Sequence, residues 1–215
     1  MAQFEENKHP RDEEGKFTNK DISKEYRQNT SYGEILGNQN ATSFYEDISE
    51  GTLKKLKELE SKSGKLEYEV GTILDKNGNV LQSANGEVNS VSVDKNLLKD
   101  AIFTHNHPTG CCFSDKDIYG FVIGELYQLR ATTKSGKTYI LTKIKDVVEP
   151  SLVENFKKAT KPGGEGEKAI QKLYENFLTM GYPNYRAVEL AISNYREEWL
   201  YKNCKTYGVK FSVEF

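Results

Sequence analysis

Cysteine is scarce in this chain, and no long apolar run occurs in it. Of 215 residues, three are cysteine: Cys111, Cys112 and Cys204. So small and odd a count excludes a disulfide framework. Mean hydropathy is −0.71, and no apolar stretch approaches the ~20 residues of a membrane span. The opening Met-Ala-Gln-Phe-Glu-Glu-Asn-Lys lacks the apolar centre of a secretion signal. Charge of one sign is missing too. Lysine and arginine number 30 against 32 acidic residues, for a net charge of −2. That balance gives no long-range electrostatic case for nucleic acid or an anionic membrane. These absences predict a soluble, cytoplasmic protein, long enough for one ordinary domain with appendages.

What is present centres on Thr104 to Asp117, Thr-His-Asn-His-Pro-Thr-Gly-Cys-Cys-Phe-Ser-Asp-Lys-Asp. Residues i and i+2 of an extended segment point to the same face. His105 and His107 can therefore reach one ion from the end of one strand, predicted over Ala101 to Thr104. Pro108 and Gly110 turn the chain away, and Ser114-Asp115 reads as a helix start. Asp117 then falls in the first helical turn. Two imidazoles, a carboxylate and an open fourth position describe a catalytic zinc site rather than a closed structural one. Paired histidines alone are weak evidence; the longer string is what carries the reading. Asn106 faces away from the metal by strand parity. Asp115 reads as a first-turn helix acid, and Cys111 and Cys112 as loop residues near the site rather than ligands. His9 is far away in a polar arm and is not expected to ligate.

The string His-x-His-Pro-x-Gly-x-x-x-Ser-x-x-Asp is complete from His105 to Asp117. It resembles the signature of the JAMM (JAB/MPN) metalloprotease family, closest to its bacterial and phage branch, which includes RadC-like proteins. The resemblance implies Zn2+ held by His105, His107 and Asp117. It implies an α/β fold, a mixed β-sheet sandwiched by helices, here with a C-terminal helical extension. It also implies a glutamate on an upstream strand that activates water, and a serine, here Ser114, that stabilises the oxyanion. Ser114 is equally suited to cap its helix.

Two glutamates qualify as the water-activating base, Glu67 and Glu69. Both stand in a predicted strand, Leu66 to Asp75, and their spacing of two puts them on one face. Glu69 is preferred because Glu69-Val-Gly resembles the start of the family's first core strand. A register counted back from Asp75 favours Glu67. The alternative to both is a pair of solvent-facing strand carboxylates.

Residues 1–47 are polar and poor in aliphatics, which predicts a disordered or loosely docked arm. Within it, His9 to Thr18 resembles a short segment of phage head-associated polyproteins. A core domain is predicted over 48–146. It begins with an amphipathic helix, Glu50 to Ser61, carrying Leu53, Leu56 and Leu59. A hairpin turn at Lys76 to Asn79 leads to a strand over Val80 to Ser83. A further strand is read at Ser90 to Val93 and a short helix at Asp94 to Lys99. A helix over Ser114 to Leu126 and a hairpin of Gln128 to Thr133 with Thr138 to Lys143 complete the core. Residues 147–215 are predicted as three helices and a last strand, Val209 to Phe215. The second of these helices presents Ile170, Leu173, Phe177 and Leu178. This stretch carries no metal or phosphate motif, and its aromatics read as packing residues. It is a candidate cap on the core or a partner surface.

The leading expectation is a zinc-dependent peptidase or isopeptidase acting on a protein or peptide. Relatives by resemblance often cleave an amide at the C-terminus of a ubiquitin-like protein; a phage-encoded member would process a virion protein or remove a host conjugate. Two other readings stand beside it. One is a catalytically silent JAB-fold binding module, and the other is a RadC-like role near DNA, which the charge balance weakens.

Overall fold

The computed structural model of the protein describes residues 48–215; the arm expected at 1–47, with His9, lies outside the described residues. The described residues form an α/β fold with one six-stranded mixed sheet and five α-helices. In order these are α1 (Glu50–Ser63), β1 (Val70–Leu74), β2 (Val80–Asn85), β3 (Ile102–His107), α2 (Asp115–Ile123), β4 (Gln128–Thr133), β5 (Thr138–Lys143), α3 (Ser151–Thr160), α4 (Glu167–Thr179), α5 (Asn184–Asn203) and β6 (Val209–Glu214). The strands run β2-β1-β3-β4-β5-β6 across the sheet. Only β3 and β4 are parallel neighbours; the other pairs are antiparallel.

The parallel pair is where α2 crosses over, because two parallel strands cannot be joined by a tight turn. The loop ahead of that helix holds the His-Pro-x-Gly turn. β3 therefore lies inside the sheet with its histidine end leading into the loop. β1 and β2 form the hairpin anticipated from Lys76 to Asn79, with Gly78 at φ +84°. A type of turn that needs positive φ selects glycine there.

The two faces of the sheet are covered differently. On one, Leu74, Ile102 and Tyr127 bury against Leu56 of α1. On the other, Ile73, Leu129, Ala131, Leu141, Val209 and Phe211 join α2, α3 and α5 in the main core. Phe211 and Val209 come from β6 and Leu200 from α5, so residues after 146 supply both the sixth strand and part of this core. α4 packs on α5 through Phe177, Ala187 and Ala191.

Several boundaries differ from the sequence reading. The strand expected from Leu66 starts at Val70, and the one expected to end at Thr104 continues to His107. No strand forms at Ser90 to Val93, where Glu87 and Ser90 make only an isolated bridge. The short helix after it is a 3-10 turn, Lys95–Leu97, capped by Asp94. The buried stripe of α1 is Thr52, Leu56 and Glu60 rather than Leu53, Leu56 and Leu59. Leu178 is exposed, and Tyr174 takes its place in the α4 packing.

Glu60 has a specific partner. Arg130 of β4 is fully buried, and its Nε donates to Glu60 Oε1 at 2.5 Å while Nη2 donates to Oε2 at 3.1 Å. Nη2 also reaches Glu214 Oε2 at 3.1 Å, and Thr104 donates to Glu60 Oε1. A forked guanidinium–carboxylate pair of this kind ties α1, β3, β4 and β6 together. Removing one member leaves a buried charge without its partner. Arg130→Ala should therefore cost about 3–5 kcal/mol in urea unfolding, and exchanging the pair together, Arg130→Met with Glu60→Leu, should cost far less.

Candidate metal centre

The register across the sheet explains how the first histidine is housed. The row containing His105 reads Gly71, His105, Ala131, Tyr139. The smallest side chains flank the imidazole on both sides, so the ring has room to lie against the sheet. A Cβ on Gly71 would approach the Phe103 ring to 2.8 Å. Phe103 in turn stacks on His105, with ring centroids 5.1 Å apart and planes 9° apart. Gly71 thus lets the phenyl ring close over β1 and fix the imidazole plane. His107, two residues on, shares this face, as the period of two requires.

The loop after β3 holds the second histidine. Gly110 adopts φ +74° and donates its N–H to the His107 carbonyl at 2.9 Å. That turn brings the Cys111 carbonyl to His107 Nδ1, 2.8 Å away. Nδ1–H donates there, which leaves Nε2 as the free lone pair. α5 braces the same loop: Ser193 Oγ accepts the Cys112 N–H at 2.7 Å, and Arg196 pairs with Asp115 at 3.0 Å. Cys111 and Cys112 contribute backbone rather than sulfur. The Cys112 thiol is buried, and burial holds its pKa well above the ordinary value.

Asp117 arrives through the capping box of α2. Ser114 is the N-cap; its Oγ accepts the Asp117 N–H, and its own N–H and hydroxyl donate to Asp117 Oδ2 at 2.6 and 2.7 Å. Oδ2 is thereby bonded to Ser114 and is also the oxygen nearest His107 Nε2, while Oδ1 faces His105. The Ser114 hydroxyl proton is committed to this carboxylate; donation to an oxyanion requires it to swing away.

The three groups meet. His105 Nε2 and His107 Nε2 are 2.9 Å apart, and Asp117 Oδ1 is 3.2 Å from His105 Nε2. Ligand atoms around a tetrahedral zinc with bonds of about 2.0–2.1 Å stand roughly 3.3 Å from one another. The 2.9 and 3.2 Å separations lie near that edge length, and His107 Nε2 comes nearest Asp117 through Oδ2, at 3.6 Å. Among the described residues this is the one cluster of His, Cys, Asp or Glu whose ligand atoms converge, all within 4.8 Å. The donor set, two imidazole nitrogens and one carboxylate oxygen, suits a divalent transition ion.

The electrostatics point the same way. Burial pulls the His105 pKa down, but the hydrogen bond and charge of Asp117 outweigh it and the net shift is upward. His107 moves down, from burial and from the His105 charge. Asp117 is half-buried, and its contacts with His105 hold it well below the usual carboxylate range. A positive charge is thus favoured on His105 beside Asp117, while His107 is held toward its neutral form. Nδ1 of His105 is buried without a partner of good geometry, with the Arg130 backbone carbonyl acting on the same ring.

The two candidate bases separate. Neither lies in a regular strand, since β1 starts at Val70, so the parity argument that grouped them does not apply. Glu67 is exposed and pairs with Lys134 at 2.5 Å on the surface. Glu69 is buried, 8% exposed, and lies close enough to His105, Asp117 and Lys116 to feel their charges. Burial raises its pKa from 4.5 to about 7. Phe103, Gly71, Ser193 and Arg196 were not identified from sequence as parts of this site; their roles follow from cross-strand register and from α5 packing.

No family model, curated protein or solved structure matches the chain. The JAMM resemblance therefore rests on the sequence motif from His105 to Asp117.

The Glu69 pKa has a consequence for the metal-free protein. A carboxyl raised from 4.5 to about 7 binds its proton more tightly folded than unfolded, so its contribution to stability falls as pH climbs between those values. Glu69→Gln removes that loss. In metal-free protein the melting temperature of the variant should gain on the parent through this window, with no gain below it.

Proposed function

We propose that the protein is a zinc-dependent metallohydrolase of the JAMM type, a peptidase or isopeptidase that cleaves an amide bond in a protein or peptide. The observation that carries this reading is the convergence of His105, His107 and Asp117 with Glu69 buried beside them. The mixed sheet, with α1 on one face and α2, α3 and α5 on the other, is compatible with the sandwich of that family. Among the described residues no helix is long and apolar enough to cross a membrane.

His105 and His107 would hold a divalent cation through Nε2, and Asp117 through its carboxylate. When bound, a divalent cation lowers the pKa of a coordinated water toward neutrality and polarises the scissile carbonyl. Glu69 accepts the proton of the attacking water and delivers it to the departing amine. A carboxyl whose pKa lies near neutrality suits both halves of that transfer. Burial of His105 and of Glu69 excludes bulk water from the proton's path. Ser114 orients Asp117, and its hydroxyl is the side-chain donor proposed for the oxyanion. A protein substrate, including the C-terminal amide of a ubiquitin-like conjugate, is the class this chemistry serves.

Two substitutions test the reading. His107→Ala should abolish binding of one zinc per chain, measured by metal analysis of purified protein. Glu69→Gln should keep the zinc and lower kcat by about 10²–10⁴-fold on whichever member of a quenched peptide and isopeptide panel the parent cleaves. Full zinc in His107→Ala would refute the ligand set. One equivalent of zinc with no cleavage across the panel would favour a binding module.

A further inference from the structure

The pairing of β1 with β3 stops one residue short of Glu69's neighbour. The last pair is Gly71 with His105, so the next positions in register are Val70 and Asn106. There the main chains do not bond; the Asn106 side chain does so instead. Its Oδ1 accepts the Val70 N–H at 2.6 Å, and its Nδ2 donates to the Tyr68 carbonyl at 2.9 Å. A carboxamide carries the same donor and acceptor as a peptide group, and here it continues the ladder where the backbone leaves it. The two residues it grips are those on either side of Glu69.

Glu69's own backbone is held from the opposite edge. Its N–H donates to the Glu87 carbonyl at 2.8 Å, and its carbonyl accepts the Gly86 N–H at 2.7 Å. Gly86 has no alternative at this crossing, because a Cβ there would meet the Ser90 carbonyl oxygen at 2.1 Å. Four hydrogen bonds thus fix three consecutive residues at the entry to β1, Tyr68 and Glu69 ahead of the strand and Val70 as its first residue. Asn106 is fully buried and makes both of its bonds to this segment. It stands between the two metal-ligand histidines but points to the other face of the sheet, so it serves Glu69 rather than the ion.

We propose that Asn106 is a positioning residue for the proton-transferring carboxylate: its side-chain amide clamps Tyr68 and Val70 and so sets where the Glu69 side chain stands relative to His105 and His107. The proposal rests on the metallohydrolase reading, and it adds a constraint on the identity of the residue between the two histidines. Asp cannot donate when ionised, Ser and Thr reach less far, and Ala makes neither bond.

The test uses the zinc-loaded full chain and a quenched peptide containing a lysine isopeptide bond. Asn106→Ala should leave zinc at one per chain and KM within about twofold, and lower kcat by about a hundredfold, the size of effect expected from misplacing a reacting group by about 1 Å. Asn106 acts through Glu69, so in a Glu69→Gln background the same change should cost less than about twofold further. An equal loss in both backgrounds, or a loss of zinc in Asn106→Ala, overturns the proposal. If Asn106→Ala does not fold, the near-isosteric Asn106→Asp carries the same readings. If the parent cleaves no isopeptide probe, the cobalt-loaded chain decides: Glu69→Gln and Asn106→Ala should shift its visible absorption bands alike, and bands left unchanged by Asn106→Ala overturn the proposal. A parent chain that holds neither zinc nor cobalt sinks the metal reading, and this inference with it; failure of the Asn106 variants alone leaves the metal reading standing.

Discussion

The alternation of side chains along β3 is the constraint on which the rest of the structure depends. Residues 103, 105 and 107 turn to one face of the sheet, and 102, 104 and 106 to the other. The first set places a phenyl ring and two imidazoles in line. The second set anchors the strand: Ile102 in the α1 core, Thr104 on the Glu60 carboxylate, Asn106 on the lead into β1. A slip of one residue in register would exchange the two sets. The buried Arg130–Glu60 pair works against such a slip, since Arg130 stands opposite Thr104 and both contact the same carboxylate.

The site is consequently assembled from parts held in different ways. His105 is set within a sheet whose neighbouring positions are glycine and alanine. His107 and Asp117 depend on a loop and a helix start, and each is secured by hydrogen bonds that use backbone as much as side chain. α5 supports that loop through Ser193 and Arg196, far away in sequence and adjacent in space. Charges in this cluster are arranged so that a cation is welcome: one carboxylate held ionised, two Nε2 atoms facing inward, a second carboxyl near neutrality at the side. In the proposed hydrolase, preorganisation of this sort would keep the cost of assembling the reacting groups out of the reaction itself.

The charge balance between the faces also matters. Glu60 occupies the third position of α1's buried stripe, where a leucine would be the ordinary choice. Its burial is tolerated because Arg130 meets it with two donors and Thr104 with a third. The fold thus carries one ionic cluster on each side of the same strand. One side holds helix to sheet; the other gathers two imidazoles and a carboxylate.

Sequence by itself determined the local features. The i, i+2 histidines, the Pro-Gly turn and the Ser114–Asp117 cap each depend on neighbours within a few residues, and their conformations follow from short-range sterics and hydrogen bonding. The β4–β5 hairpin and the three late helices were legible for the same reason. What only the tertiary structure decided were contacts between distant segments: Glu69 buried and Glu67 on the surface, Gly71 beneath Phe103, Glu60 against Arg130, Asn106 bridging to Tyr68 and Val70. Glu67 and Glu69 have the same residue type and nearly the same neighbours. The place where regular pairing of β1 begins, fixed by the strands around it, is what separates them.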